Sequence, residues 1–74
     1  MDSKRDFDHP AQYKIRIFGC LDDSWSEWFD DMVIQAEALD ITLLQGEIVD
    51  QAALYSILNR VRNLGLPLLS LERL

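Results

Sequence analysis

The sequence predicts an α+β fold of the ferredoxin-like kind, with the element order β-α-β-β-α-β. Four segments have the composition and alternation of strands, and two have apolar residues at helical spacing. Right-handed β-α-β crossovers then give one antiparallel sheet in the order 4-1-3-2, with two helices on one face. A chain of 74 residues is long enough for one small domain. We expect a mobile leader over residues 1–11 and a single domain over residues 12–74.

Three of the strands are predicted from alternation and the fourth from its composition. In QYKIRIFG, every second residue from Tyr13 to Ile17 is apolar, and MVIQAEA and ITLLQGEIV alternate in the same way. The short gap between the last two predicts a hairpin about Leu39 and Asp40. The final PLLSLERL is rich in leucine and begins with a proline, which suits an edge strand. We expect seven residues to face the helices: Ile15, Ile17, Ile34, Leu44, Ile48, Leu69 and Leu71.

The first helix is predicted within GCLDDSWSEWFDDM. Four bulky side chains follow the i, i+3, i+4, i+7 spacing of one helix face: Trp25, Trp28, Phe29 and Met32. Ser24 and Glu27 have the spacing of a capping box at its start. These aromatic residues could form an exposed docking site instead, but the burial of one helix face explains their spacing. We therefore expect a short helix that packs its aromatic face against the sheet.

The second helix has signals at both ends. Asp50 is a favoured N-cap residue, and an apolar stripe runs from Leu54 to Leu64. Gly65 fits a left-handed residue just beyond the helix, and Pro67 follows it. These signals predict a helix from about residue 51 to residue 64.

The sheet face turned away from the helices is predicted to hold a subunit interface. Lys14 and Arg16 would lie near Glu47 of the third strand, a favourable cross-strand arrangement. The same face carries more apolar side chains than a solvated sheet face needs. Four of them are interface candidates: Phe18, Val33, Leu43 and Leu68. The leucine-rich last strand is a second candidate, by strand addition at its edge.

The composition restricts the partners. A net charge of −6 and a pI near 4.4 argue against nucleic acid, which is bound by neutralising phosphates. No apolar run approaches the roughly 20 residues of a membrane-spanning helix. One Cys and one His form neither a disulfide nor a metal-ligand cluster. We expect a cytoplasmic protein without a cofactor, and a homo-oligomer, most simply a dimer, because so small a domain lacks other stabilising links.

The candidate catalytic groups do not form a recognisable active site. The carboxylates of residues 22–31 suit helix capping and solvation, whereas acid-base catalysis needs carboxyl groups with separated pKa values. Cys20 precedes the first helix, but no His or Lys lies near it in sequence to act as a base. We expect no enzyme.

These observations predict a non-catalytic protein-interaction or oligomerisation module. The alternative is a small-molecule sensor or binding protein, with its ligand at a dimer boundary or near Trp25 and Trp28. The aromatic residues are the only motivation for this alternative.

Three segments together carry a resemblance to known proteins: LDDSWSEWF at residues 21–29, GEIVDQAAL at residues 46–54 and NLGLPLLSL at residues 63–71. They resemble a family of short bacterial proteins, common in cyanobacteria and actinobacteria, that are described as hypothetical proteins. The resemblance covers residues 13–73 and implies a bacterial origin and a small stand-alone chain. It implies no catalytic or ligand-binding residue.

Overall fold

The structure, a computed structural model, describes residues 9–74. Its elements in chain order are β1 (Ala11–Phe18), a 3-10 helix (Asp23–Phe29), β2 (Val33–Ala38), β3 (Ile41–Ile48), α1 (Gln51–Asn63) and β4 (Leu68–Arg73). A leader was predicted over residues 1–11, and its residues 1–8 lie outside the described residues. Residue 11 is already the first residue of β1.

The four strands form one sheet in the order β2-β3-β1-β4, and all neighbouring strands are antiparallel. β1 lies between β3 and β4, so β2 and β4 are the two edge strands of the described sheet. A turn at Leu39 and Asp40 joins β2 to β3, which confirms the predicted hairpin. A register shift between Arg16 and Ile17 in the β1–β4 pair marks a bulge near the start of β4.

The predicted ferredoxin-like class, a 4-1-3-2 sheet with two helices on one face, is wrong because residues 9–74 contain one α-helix. A seven-residue 3-10 helix stands where the first α-helix was expected. The observed fold is α+β, with four antiparallel strands in the order β2-β3-β1-β4, one α-helix and one 3-10 helix.

The residues that flank the 3-10 helix explain its form. The carboxylate of Asp22, rather than the predicted Ser24, caps its start by accepting the N–H of Ser24. Asp30 and Asp31 follow it with positive φ angles of 57° and 63°, which ends the helical path. A segment this short gains little from α-helix propagation, and aspartates at a helix C-terminus oppose the helix dipole. The tighter 3-10 form is common in such short pieces.

α1 forms as its signals predict. The Oδ1 atom of Asp50 accepts the N–H of Ala53 at 2.8 Å, which satisfies one of the free donors at the helix start. Gly65 follows the helix with a φ of 76°, the left-handed conformation that glycine adopts without strain.

The core lies between one face of the sheet and the two helical elements. Its buried members come from β1, β3, α1 and the 3-10 segment: Tyr13, Ile15, Ile17, Phe29, Met32, Leu44, Ile48, Leu54, Ile57 and Val61. No buried residue comes from β4, so the core stops short of that edge strand.

Candidate interaction surface

The helix-facing side of β4 is largely uncovered. Leu69 and Leu71 were predicted to meet the helices, but they are 48% and 42% exposed, so this prediction is wrong. The 3-10 helix packs chiefly on β2 and α1 on β3, which leaves β4 beyond both. Leu68, beside them, is also about half exposed. We call Leu68, Leu69 and Leu71 the leucine edge.

The hydrogen-bond pattern decides which backbone groups of β4 face outward. At the far end of the ladder, the N–H of Leu74 donates to the carbonyl oxygen of Gln12 at 2.8 Å. Bonded and non-bonded pairs alternate along an antiparallel ladder, so Ser70 is also bonded to β1. Leu71 occupies an alternate position and directs its N–H and C=O groups to the open side of β4. Leu69 is the extra residue at the register shift, and its C=O group faces the open side because the next N–H, that of Ser70, is bonded to β1. Backbone donors and acceptors therefore lie beside exposed leucines.

Ser70 places an unsatisfied polar atom in the middle of this strand. Its hydroxyl oxygen is buried and has no hydrogen-bond partner within residues 9–74. Leaving a buried hydroxyl unsatisfied costs about 1–3 kcal/mol, so such atoms are rare in native proteins. Ser70 lies opposite Arg16, on the sheet face away from the helices.

That sheet face, the predicted interface, is covered at its centre by an ion pair. Leu43 lies there directly opposite Arg16 but is only 7% exposed. Arg16 extends from β1 across β3 to Glu37 of β2, where its Nε atom is 2.7 Å from the carboxylate. The hydrogen bond and the negative charge of Glu37 raise the pKa of the Arg16 guanidinium. Leu43 is therefore shielded by side chains of its own sheet and is not available to a partner.

The other three interface candidates do not form one patch. Phe18 and Val33 are 49% and 56% exposed, but they lie on opposite sides of β3, where Phe18 pairs with Ile41 and Val33 with Gln45. Phe18 instead lies next to the leucine edge, because its N–H donates to the carbonyl oxygen of Pro67 at 2.9 Å. Leu68 pairs with Ile17 on the helix-facing side, so it does not share the sheet face of Phe18, and Val33 lies on the distant edge strand.

The two ligand candidates lie side by side on the 3-10 helix. The ring centroids of Trp25 and Trp28 are 5.4 Å apart, with the rings tilted by 57°. Trp25 packs partly against the core and Trp28 is 39% exposed, whereas Phe29 is fully buried. A 3-10 helix has three residues per turn, so residues 25 and 28 eclipse while residue 29 turns away from them. The predicted single aromatic face is divided, and the depression beside the indoles is open to solvent.

A more enclosed pocket of about 200 Å³ lies where the end of β3 meets the start of α1. Its wall is mostly apolar, with Met32 and Ile57 among its members, and Asp30 and Glu47 also line it. Asp30 already pairs with Arg60, whose Nη1 atom is 3.3 Å from the carboxylate. Small-molecule sites commonly have about 300–1,000 Å³, so this pocket is small for a ligand.

The described residues show few groups suited to chemistry. Cys20 is an exposed free thiol that donates to the carbonyl oxygen of Leu39 at 3.3 Å. Within residues 9–74, no three His, Cys, Asp or Glu side chains are close enough to share a metal ion. In the same part of the chain, no helix has the length and apolar character needed to span a bilayer.

Comparison with known proteins identifies a family. The family described as Domain of unknown function (DUF8691) matches residues 12–72, which is most of the chain. Neither the curated proteins nor the solved structures include a match to this sequence.

Proposed function

This chain belongs to the DUF8691 family, and from that premise we propose that it is a non-catalytic protein-interaction module that self-associates as a dimer. The observation that carries the proposal is the leucine edge, where apolar side chains and outward backbone groups occur on one strand. The proposed partner is a second copy of the chain. A net charge of −6 disfavours nucleic acid as a partner.

The chemistry of edge strands supports this proposal. Monomeric proteins usually protect such strands with lysines, prolines or a covering segment. β4 has the sequence LLSLER, in which half of the six residues are leucines and neither proline nor lysine occurs. Contact with a partner would remove these leucines from water, and apolar burial is worth roughly 25 cal/mol per Å².

We also propose a bacterial and cytoplasmic setting. The segments at residues 21–29, 46–54 and 63–71 support a bacterial origin through the resemblance described above. The exposed free thiol of Cys20 suits a reducing compartment, where thiols persist without forming disulfides.

Light scattering against protein concentration tests the self-association. We expect the wild type to change from monomer to dimer across the micromolar range, because a contact through one edge strand is small. A Leu69→Ser, Leu71→Ser double variant should remain folded and monomeric, since both side chains are already half exposed.

The matched control is a Leu39→Ser, Val49→Ser double variant. These residues are 89% and 55% exposed and lie outside β4, so this control should dimerise like the wild type. A wild type that is monomeric at every concentration would contradict the proposal, as would equal weakening by the two double variants.

A second candidate function is small-molecule binding near Trp25 and Trp28. The partly exposed indole pair favours it, because aromatic surfaces often bind ligands. Trp fluorescence titrations with small aromatic metabolites test this candidate. A saturable response that is lost in a folded Trp28→Leu variant would support it, and no response to any of them would count against it.

A further inference from the structure

We propose that two copies pair antiparallel along β4, with the two-fold axis passing beside Ser70, so that their sheets join into one continuous sheet. This inference rests on the proposed function, because it specifies how the chain self-associates. It commits to one register, in which Ser70 of each copy lies opposite Ser70 of the other.

The backbone of β4 supplies the hydrogen bonds. In this register Leu69 of each copy lies opposite Leu71 of the other. Leu71 directs its N–H and C=O groups, and Leu69 its C=O group, to the open side of the strand, so in each opposed pair the N–H of Leu71 can donate to the C=O of Leu69. Main-chain bonds of this kind provide much of the affinity in strand addition.

The exposed leucines gain apolar partners. Directly opposed side chains in an antiparallel pair have Cβ atoms about 4.5–5.5 Å apart and contact each other. Leu71 lies opposite Ile15 on the helix-facing side, and Leu69 and Leu71 are 48% and 42% exposed in one copy. Each copy thereby covers leucines of the other copy that α1 does not shield from solvent.

Ser70 gains a hydrogen-bond partner. At the axis it occupies a pair without backbone hydrogen bonds, in which the Cα atoms are only about 4.5 Å apart. A rotation about χ1 brings the two hydroxyl groups together, and cross-strand hydroxyl pairs of this kind stabilise sheets. After that rotation, the dimer gives a partner to a hydroxyl that has none within residues 9–74 of one copy.

The sequence and charge of the strand fit a second copy. Leu-Ser-Leu at residues 69–71 is the same in both directions, so two-fold pairing sets apolar against apolar and polar against polar. Residues 68–71 carry no charge. The two copies of Glu72 are four strand positions apart, about 13 Å, and each lies within 3.8 Å of Arg16 in its own chain. The two acidic chains thus meet along a segment that carries no charge.

The opposite edge strand fits such pairing less well. Glu37 of β2 is held by Arg16 on the sheet face. β2 thus carries an ion-paired carboxylate at its edge, whereas residues 68–71 of β4 are uncharged. Both edge strands contain one register shift, so that feature does not distinguish them.

A disulfide trap in the full chain tests the register. Cys20→Ser removes the single native cysteine, and a serine hydroxyl can still donate to Leu39. In that background, Ser70→Cys places one cysteine of each copy on either side of the axis. The two Cβ atoms would then be near the separation of about 3.5–4.5 Å that a disulfide needs. We expect the oxidised protein to be mainly a covalent dimer that a reductant converts to monomer. The matched control, Glu72→Cys, places its thiols about 13 Å apart and should remain monomeric on the same gel.

Light scattering on the same proteins separates failure of this inference from failure of the proposed function. A wild-type dimer whose Ser70→Cys variant does not form the disulfide, or forms it no better than Glu72→Cys, would overturn the β4 register and leave self-association intact. A wild type that stays monomeric would overturn both. If circular dichroism shows that Ser70→Cys does not fold, Leu69→Cys and Leu71→Cys proteins replace it. These should crosslink efficiently when mixed and poorly alone, and the opposite result would overturn the inference.

Discussion

Thr42 illustrates how one buried polar side chain joins two parts of this small fold. It lies in β3 and is 1% exposed. Its hydroxyl donates to the carbonyl oxygen of Gly19 at 2.6 Å and accepts the N–H of Leu21 at 3.2 Å. These bonds fasten the segment that leads from β1 to the 3-10 helix. Neither alternation nor composition identifies this role, because it depends on two residues more than twenty positions away.

Removing the Thr42 hydroxyl should destabilise the protein. Thr42→Val keeps the shape of the side chain but leaves a carbonyl oxygen and an N–H group without a partner. We expect the free energy of unfolding in urea to fall by about 1–3 kcal/mol. Thr42→Ser, which keeps the hydroxyl, should lose less. Equal stability of the valine variant and the wild type would show that the bonds contribute nothing.

Arg16 shows what residue patterns do not predict. The alternation of β1 indicates its sheet face, and the nearest predicted acid was Glu47. In the structure its side chain reaches Glu37, two strands away, at 2.7 Å. A long flexible side chain selects its partner in three dimensions, so the shielding of Leu43 could not be inferred from strand neighbours alone.

At the scale of elements, the two helical segments explain why one prediction succeeded and the other failed. α1 combines an N-cap, a long apolar stripe and a C-terminal glycine, so its local signals agree with its packing. The Trp-rich segment has helical spacing, but only seven residues lie in its helix before two aspartates turn the chain. Spacing of apolar residues does not distinguish a 3-10 helix from an α-helix over so short a length.

The N-cap of α1 should contribute measurably to stability. Asp50→Ala removes the acceptor for the N–H of Ala53, a bond of 2.8 Å. We expect the free energy of unfolding to fall by about 0.5–2 kcal/mol. Asp50→Ser should restore most of the loss, because serine also caps well. If serine and alanine variants unfold alike in urea, the cap has no such role.

For the whole molecule, the strand positions were predictable and the coverage of the sheet was not. Alternation places Leu69 and Leu71 on the helix-facing side, but it does not show how far a helix extends over that side. The 3-10 helix packs chiefly on β2 and α1 on β3, and the β4 edge stays outside the core. The sequence indicated the last strand as a contact candidate, whereas the exposure of its leucines and the unsatisfied Ser70 hydroxyl required the structure.

Amide hydrogen exchange in the wild-type chain, followed residue by residue by NMR at increasing protein concentration, tests self-association through β4 most directly. The N–H group of Leu71 faces the open edge, so we predict that its exchange slows as concentration rises. The N–H of Ser70, bonded to β1, serves as the internal reference and should be protected throughout. Exchange at Leu71 that stays fast at every concentration would contradict the account.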